Sequence, residues 1–396
     1  MLTNFARMVK DSGGLAKVTI EFANEMIQRG HQVSLLYCDK RQGDFFYPLK
    51  DEVHLYNLCC QSGVYIKMPL WMKLKRELLR PISLVASRDV NDQFMKRYLL
   101  DEVDRCLKLE KPDVIVSSQP AASRLLLCDI MTEIPVITMS HGDPEDYFHT
   151  YPKGEIPAVG RSAVCQVLLP SFVRPIKERF PNQKVVVIGN VVPQYKKKAD
   201  LLADKNKYKI IFVGRLVKNH KRPHLLIEAF AQVANEFPDW EVEFWGAESN
   251  KTYTRSLERL IKKRGLQKRV RLMGVTRDVS AVLEKGDIFV LPSAAEGFGL
   301  SLAEAMSMGL PAVGYRNCPA VNELIIDGKN GILCEDGIQD LSRGIKQLME
   351  DKNMRVQYGD CARKMVTQYS ADKIWSAWEL LLNQTVKSKK INMTSD

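Results

Sequence analysis

The chain has 396 residues, 45% of them hydrophobic and 27% charged, which are the proportions of a soluble globular protein long enough for two domains with separate cores. Its net charge of +11, from 58 basic and 47 acidic residues, permits an anionic substrate, nucleic acid or an anionic membrane surface without choosing among them. No uncharged apolar stretch reaches the roughly 18 residues of a transmembrane helix, residues 1–10 lack the charged-then-apolar pattern of a secretory leader, and nine scattered cysteines without a C-x-x-C pair read as thiols of a reducing compartment.

In chain order, residues 1–6 predict the end of a strand. Ser12, Gly13 and Gly14 then cap a helix over 15–29 that stops at Gly30, and 33–38 form a buried strand, which makes one βαβ unit. Further strands are predicted at 53–57, 113–117, 135–140, 164–169 and 184–188, with helices at 91–109, 121–131 and 171–180. Residues 65–80 mix aromatic and apolar side chains with Lys67, Lys73, Lys75, Arg76 and Arg80; this is either a helix with an ordinary solvated basic side or an element that lies on anionic lipid. A basic, loop-like linker follows at 190–206.

The second half repeats the alternation. Strands are expected at 209–213, 240–245, 270–273, 287–291, 311–314 and 331–334, and helices at 223–236, 253–264, 277–285 and 300–308. Three helical segments, 338–350, 354–369 and 371–383, close the chain before a polar tail. Near-continuous apolar strands alternating with helices predict two doubly wound parallel sheets. In such sheets ligands bind beyond the carboxyl ends of the strands. The polar clusters at 12–14, 141–143, 214–221 and 296–301 all fall at such ends.

The richest cluster runs Leu291-Pro-Ser-Ala-Ala-Glu-Gly-Phe-Gly-Leu-Ser-Leu-Ala-Glu304. A helix that starts near Leu300 points backbone N–H groups outward, and Gly297 and Gly299 let a diphosphate approach Phe298, Gly299, Leu300 and Ser301 closely. Glu304, one turn in, leans toward the helix start and suits a ribose diol. Glu296 faces hydroxyls on the other side of the phosphates. Arg215 and Lys221 can neutralise a leaving phosphate, with Lys218 and Arg222 read as a surface basic turn. His141 either hydrogen-bonds a substrate hydroxyl or is structural. Ser12 to Gly14 are a ligand loop or only a cap. G-x-G-x-x-G, D-x-D, H-E-x-x-H and Cys/His clusters are absent, so no metal, cofactor or Ser-His-Asp triad is inferred.

Val213-Gly-Arg-Leu216, Lys221-Arg-Pro-His-Leu-Leu-Ile-Glu-Ala-Phe230, Glu296-Gly-Phe-Gly-Leu-Ser-Leu-Ala-Glu-Ala-Met306 and Gly309-Leu-Pro-Ala-Val313 resemble the retaining glycosyltransferases of family 4. Ser12-Gly-Gly-Leu-Ala-Lys-Val18 and Glu25-Met-Ile-Gln-Arg-Gly-His-Gln-Val33 are similar to that family too, so the resemblance covers nearly the whole chain. It implies a GT-B fold, with two Rossmann-like domains facing across a cleft, and a nucleotide-sugar donor. It implies the catalytic set Glu296, Arg215, Lys221 and His141, and substrate contacts at Gly13, Gly14, Phe298, Gly299, Leu300, Ser301 and Glu304. The chain departs from the family in its short first strand and in Val191 after Asn190, where a glycine is commoner.

The expected organisation is an acceptor-side domain at 1–190, a nucleotide-sugar domain at 191–370, a helix at 371–385 crossing back onto the first domain, and a disordered tail at 386–396. The expected activity moves a hexose from a UDP- or GDP-linked donor to a hydroxyl of a glycan or lipid-linked acceptor, in surface polysaccharide, lipopolysaccharide or glycolipid synthesis. The expected location is cytoplasmic, peripheral at the inner membrane face, with no nucleic-acid partner. The alternatives are a GT-B nucleotide-binding protein without turnover and a sugar phosphorylase.

Overall fold

The computed structural model describes residues 2–39, 43–61 and 63–393, the side chains of 389–393 excepted. It divides into two compact units. One runs to Gly189 and regains the chain from Trp375 onward; the other is Asn190–Ile374.

The first unit is built on a seven-stranded sheet of β1 (Leu2–Ala6), β2 (Val33–Tyr37), β3 (His54–Asn57), β6 (Val114–Ser117), β7 (Val136–Ser140), β8 (Val164–Val167) and β9 (Val185–Val187). Between β3 and β6 a short antiparallel pair, β4 (Cys60–Gln61) and β5 (Val64–Tyr65), stands apart from it. The sheet order is β3-β2-β1-β6-β7-β8-β9, and the pairings are parallel. The short first strand expected at 1–6 lies inside the sheet, between β2 and β6, every residue of β1 buried, with Leu2 opposite both Val33 and Val114; Met1 is outside the described residues. Strands buried on both faces must be apolar, and their few polar side chains pair internally, as Thr3 and Ser34 do at 2.7 Å.

Two expected helices change shape. The span 91–109 is two helices, Leu84–Tyr98 and Leu100–Glu110, broken at Leu99. At Leu99 φ opens to −119° within the right-handed region, which interrupts the helix, while its side chain stays fully buried in the core with Val90, Phe94 and Val103. Apolar periodicity does not register a break whose flanks bury the same face. The span 121–131 is a short α-helix, Pro120–Arg124, that widens into a π turn over Leu125–Ile130. At 65–80 the helix is confined to Leu70–Leu79.

The second unit carries β10 (Tyr208–Val213), β11 (Trp240–Trp245), β12 (Val270–Gly274), β13 (Ile288–Leu291), β14 (Ala312–Tyr315) and β15 (Gly331–Cys334) in the order β12-β11-β10-β13-β14-β15, again parallel. The loop-like linker expected at 190–206 has no regular structure, and it is bonded to this unit. Val192 N–H donates to Tyr369 O at 2.9 Å, Ala199 N–H to Met308 O at 2.9 Å, and the Arg363 guanidinium donates to Lys197 O at 3.1 Å.

The last helix, Ala371–Met393, passes from one unit to the other. Trp378 meets Phe22 edge-on at 5.1 Å, and Glu379 accepts from Arg29 at 2.6 Å. The tail expected to be disordered from 386 is helical as far as Met393, because the apolar docking of Trp375, Trp378, Leu381 and Leu382 holds the helix that carries it. Residues 394–396 lie outside the described residues.

In each sheet the chain winds outward from the first strand, then reverses. The reversal lies between β1 and β6 in one unit and between β10 and β13 in the other. At such a point the loops that follow the two strands diverge and leave a crevice.

Candidate active site

The crevice of the second unit is made by the loops after β10 and β13. All four residues of β13 are buried. Asp287, at its foot, accepts from Lys209 N–H at 2.8 Å and pairs with Lys205 at 2.7 Å, which fixes β13 against β10. Past Pro292 the chain is held by its neighbours. Arg222 Nε donates to Pro292 O at 2.9 Å, Arg222 Nη2 to Ser293 O at 3.1 Å, and Ala294 N–H to His220 O at 2.8 Å.

Arg222 is therefore not a surface turn residue, as its sequence neighbourhood suggested. It sits at φ 48°, bridges to Asp336 at 2.9 Å and lies over the Tyr315 ring at 4.8 Å. The loop needs a donor for two carbonyls 70 and 71 positions downstream of Arg222, and no local pattern reveals that. Lys218 is exposed.

The loop ends on Gly299, in left-handed geometry at φ 78°, and the helix Leu300–Ser307 begins there without a side-chain cap. Ala303 N–H already bonds to Gly299 O. The N–H groups of Leu300, Ser301 and Leu302 precede the helix's own acceptors, so the first turn presents donors. Leu300 and Ser301 are half-buried there, and Phe298 is buried with its ring edge-on to Tyr369 at 4.9 Å.

Glu296, 7% exposed, accepts from Lys221 Nζ at 2.6 Å, so the two residues that the sequence placed on separate loops form one ion pair across the switch point. The Lys221 stem lies along Gly214, where an added Cβ would touch its Cδ at 3.5 Å. Glu304 is buried on the helix that starts at the loop. Arg215 is exposed at the end of β10.

Two residues near this pair escaped sequence reading. Gly246, at φ 147°, ends β11 so close to Gly214 that a Cβ would lie 2.1 Å from the Gly214 carbonyl oxygen; a glycine directly after a strand is the only signal for it. Cys318 is fully buried, and burial together with the Glu296 charge pushes its thiol up to about 12, so it stays protonated and serves as packing.

In the first unit, Gly13 and Gly14 open the helix Gly14–Gln28. Gly13 N–H donates to Asp11 Oδ1 at 2.9 Å, so an Asx turn from Asp11, not a Ser12 cap, sets the entry. His141 follows β7. The residue as a whole is half-buried, its Nε2 is sealed from solvent without a hydrogen-bond partner, and burial pushes its pKa down to about 4, which keeps the imidazole neutral. Among the described residues no group of three or more His, Cys, Asp or Glu side chains could hold a metal ion.

A first-turn donor set binds an anion, and a carboxylate fixed by a lysine beside it accepts hydrogen bonds from hydroxyls. Known protein families agree with that chemistry. The model described as Glycosyl transferases group 1 matches residues 193–365, and that described as Glycosyltransferase Family 4 matches residues 12–193. The chain is a family 4 glycosyltransferase of the GT-B type.

Among its relatives, a Haemophilus influenzae protein described as an uncharacterized glycosyltransferase is 24% identical over 96% of this chain and 98% of its own length. The poly(glycerol-phosphate) alpha-glucosyltransferase of Bacillus subtilis is 30% identical over 46% of this chain, which spans only 26% of that longer enzyme. In fold the glycosyltransferase is similar to a point mutant of Staphylococcus aureus TarM, solved with fondaparinux, alpha-GlcNAc-glycerol and UDP. The TM-score is 0.74 at 16% identity, covering 96% of this chain and 99% of that one.

Proposed function

We propose that this glycosyltransferase moves a hexose-type sugar from a UDP- or GDP-linked donor to a hydroxyl of a glycan or lipid-linked acceptor, with retention at the anomeric carbon. The observation that carries the reading is the Lys221–Glu296 pair, 2.6 Å across the switch point and next to the uncapped start of the helix Leu300–Ser307. In this reading the donor diphosphate sits on the backbone N–H groups of Phe298, Gly299, Leu300 and Ser301. Glu304 takes the ribose diol and Glu296 the sugar hydroxyls.

Arg215 and Lys221 stabilise the negative charge that develops on the leaving diphosphate. A leaving phosphate oxygen takes the proton of the attacking hydroxyl on the same face, so no base on the opposite face is required. His141, neutral, accepts or donates one hydrogen bond to the reacting sugar, and Gly13 and Gly14 leave room for donor or acceptor. The relatives that act on polyol-phosphate polymers support a role in surface polysaccharide, lipopolysaccharide or glycolipid synthesis. The reaction belongs at the cytoplasmic side of the membrane, with the enzyme held peripherally.

A panel of nucleotide sugars, read by thermal shift, tests the donor. One UDP- or GDP-linked hexose is expected to raise Tm, by roughly the equivalent of 3 kcal/mol at a hundredfold excess over Kd. A panel without any shift contradicts the reading.

A further inference from the structure

The helix Leu70–Leu79 is apolar on two opposite sides. Its inner side is seated in the first unit's core through Met72, 1% exposed, with Leu79 packed beside it. It packs on the helix Leu84–Tyr98. Ser87 Oγ donates to Arg76 O at 3.1 Å and Arg76 Nη1 to Asn91 Oδ1 at 3.3 Å. The helix is thus firmly held, and its outward residues are not the product of fraying.

Outward, Leu70 is 71% exposed, Trp71 52%, Leu74 56% and Leu78 71%, and Ile82 in the following turn is 81% exposed. At about 100° per residue the first four fall within one arc of about 100°, opposite Met72, Arg76 and Leu79. A monomeric fold gains nothing from large apolar side chains in water on the side of a helix away from its core.

The stripe is rimmed by exposed cations: Lys67, Lys73, Lys75 and Arg80. Glu77, the one acid in the helix, is paired with Arg76 at 3.0 Å and Arg80 at 2.8 Å. Apolar residues that enter hydrocarbon, a tryptophan at their edge and lysines able to reach phosphate oxygens are the parts of an interfacial helix on an anionic bilayer. A second copy of the chain fits the face less well. A two-fold contact centred there brings each copy's Lys73 and Lys75 toward those of the other, with Glu77 already engaged.

We propose that the outer face of Leu70–Leu79 is the docking surface through which this glycosyltransferase lies on an anionic lipid bilayer, with Trp71 and Leu74 inserted and the lysines on the headgroups. The proposal rests on the membrane-side part of the proposed function and assigns it to one element.

The test is co-sedimentation of the full chain with vesicles of phosphatidylglycerol and phosphatidylcholine in equal parts, and with phosphatidylcholine alone. The wild-type chain is expected to bind the anionic vesicles at low salt, to release as salt rises, and to bind the neutral ones weakly. Trp71→Glu with Leu74→Glu, both at exposed positions, is expected to weaken partitioning at least about tenfold. Lys73→Glu with Lys75→Glu is a second variant that leaves the apolar stripe intact and is expected to lose the preference for anionic vesicles.

Equal binding by wild type and both variants, or no binding by wild type, overturns the proposal. So does a dimer that either variant disrupts, in a chain that ignores vesicles. A chain that binds vesicles but shows no donor-induced thermal shift upholds the docking surface and contradicts the proposed chemistry.

Discussion

Lys221 and Glu296 are each set by a different strand, and neither has the crevice to itself. An ion pair this enclosed loses more when it is broken than it contributes when whole, because one charge is left buried without its partner. Lys221→Ala is expected to destabilise the second unit by about 2–4 kcal/mol, read by urea denaturation, as well as to slow transfer. Glu296→Gln keeps the shape and a hydrogen bond but leaves the Lys221 charge without its counter-charge, so it is expected to cost about 1–2 kcal/mol, less than Lys221→Ala, while it lowers the transfer rate. Arg222 works differently: it touches the loop and not the donor in this reading. Arg222→Ala frees two carbonyls held at 2.9 and 3.1 Å, with an expected loss of about 2–3 kcal/mol. Arg222→Lys is expected to recover only part of that, because one ammonium cannot reproduce the guanidinium fork. That Glu296 and Glu304 flank one strand–loop–helix junction, and that Lys221 lies past another strand end, was legible in the sequence because each junction is local; the bonds of Arg222 were not, since its partners are known only once β10 and β13 lie side by side.

At the scale of elements, the helix Leu300–Ser307 starts where it does because Gly299 can hold φ 78°. A Cβ there would also lie 3.3 Å from Leu324 Cδ1. Gly299→Ala is expected to cost about 1 kcal/mol or more and to tilt the first turn, so donor affinity should fall alongside stability. A second device lies under the helix Pro144–Thr150 in the first unit, where Glu155 and Asp92 are both buried and share a hydrogen bond. Tyr147 donates to Glu155 at 3.3 Å, while Arg124 faces Asp92 at 3.2 Å and Arg7 adds positive charge. Burial, then the charge of Asp92, pushes Glu155 up to about 8, so it holds the proton of the pair. The sign follows from linkage: between the ordinary carboxyl range and about 8 only the folded chain binds this proton, so stability falls as pH rises through that window. Denaturation midpoints of wild type should drop across it, and Glu155→Gln should remove this share of the slope. The strands were legible in the sequence and this pair was not, because two acids 63 positions apart carry no pattern until the helix Leu84–Tyr98 and the 3-10 turn Lys153–Glu155 are packed together.

At the scale of the whole molecule, two sheets wound in the same order supply two switch points, and the chemistry-bearing residues of the sequence collect at strand ends in both. The doubly wound architecture was legible because buried parallel strands leave continuous apolar runs that alternate with helical periodicity. Helix limits were less so: the break at Leu99 and the run to Met393 depend on what each face packs against, not on local propensity. In the proposed reading, the second unit's switch point holds a nucleotide sugar and activates it through Glu296 and Lys221. The direct measurement is release of nucleoside diphosphate, with sugar transferred to acceptor or water, from the donor that gives the largest thermal shift. Wild type should turn over, and Glu296→Gln and Lys221→Ala should each fall by at least about a hundredfold. Wild-type rates in both variants would contradict the account.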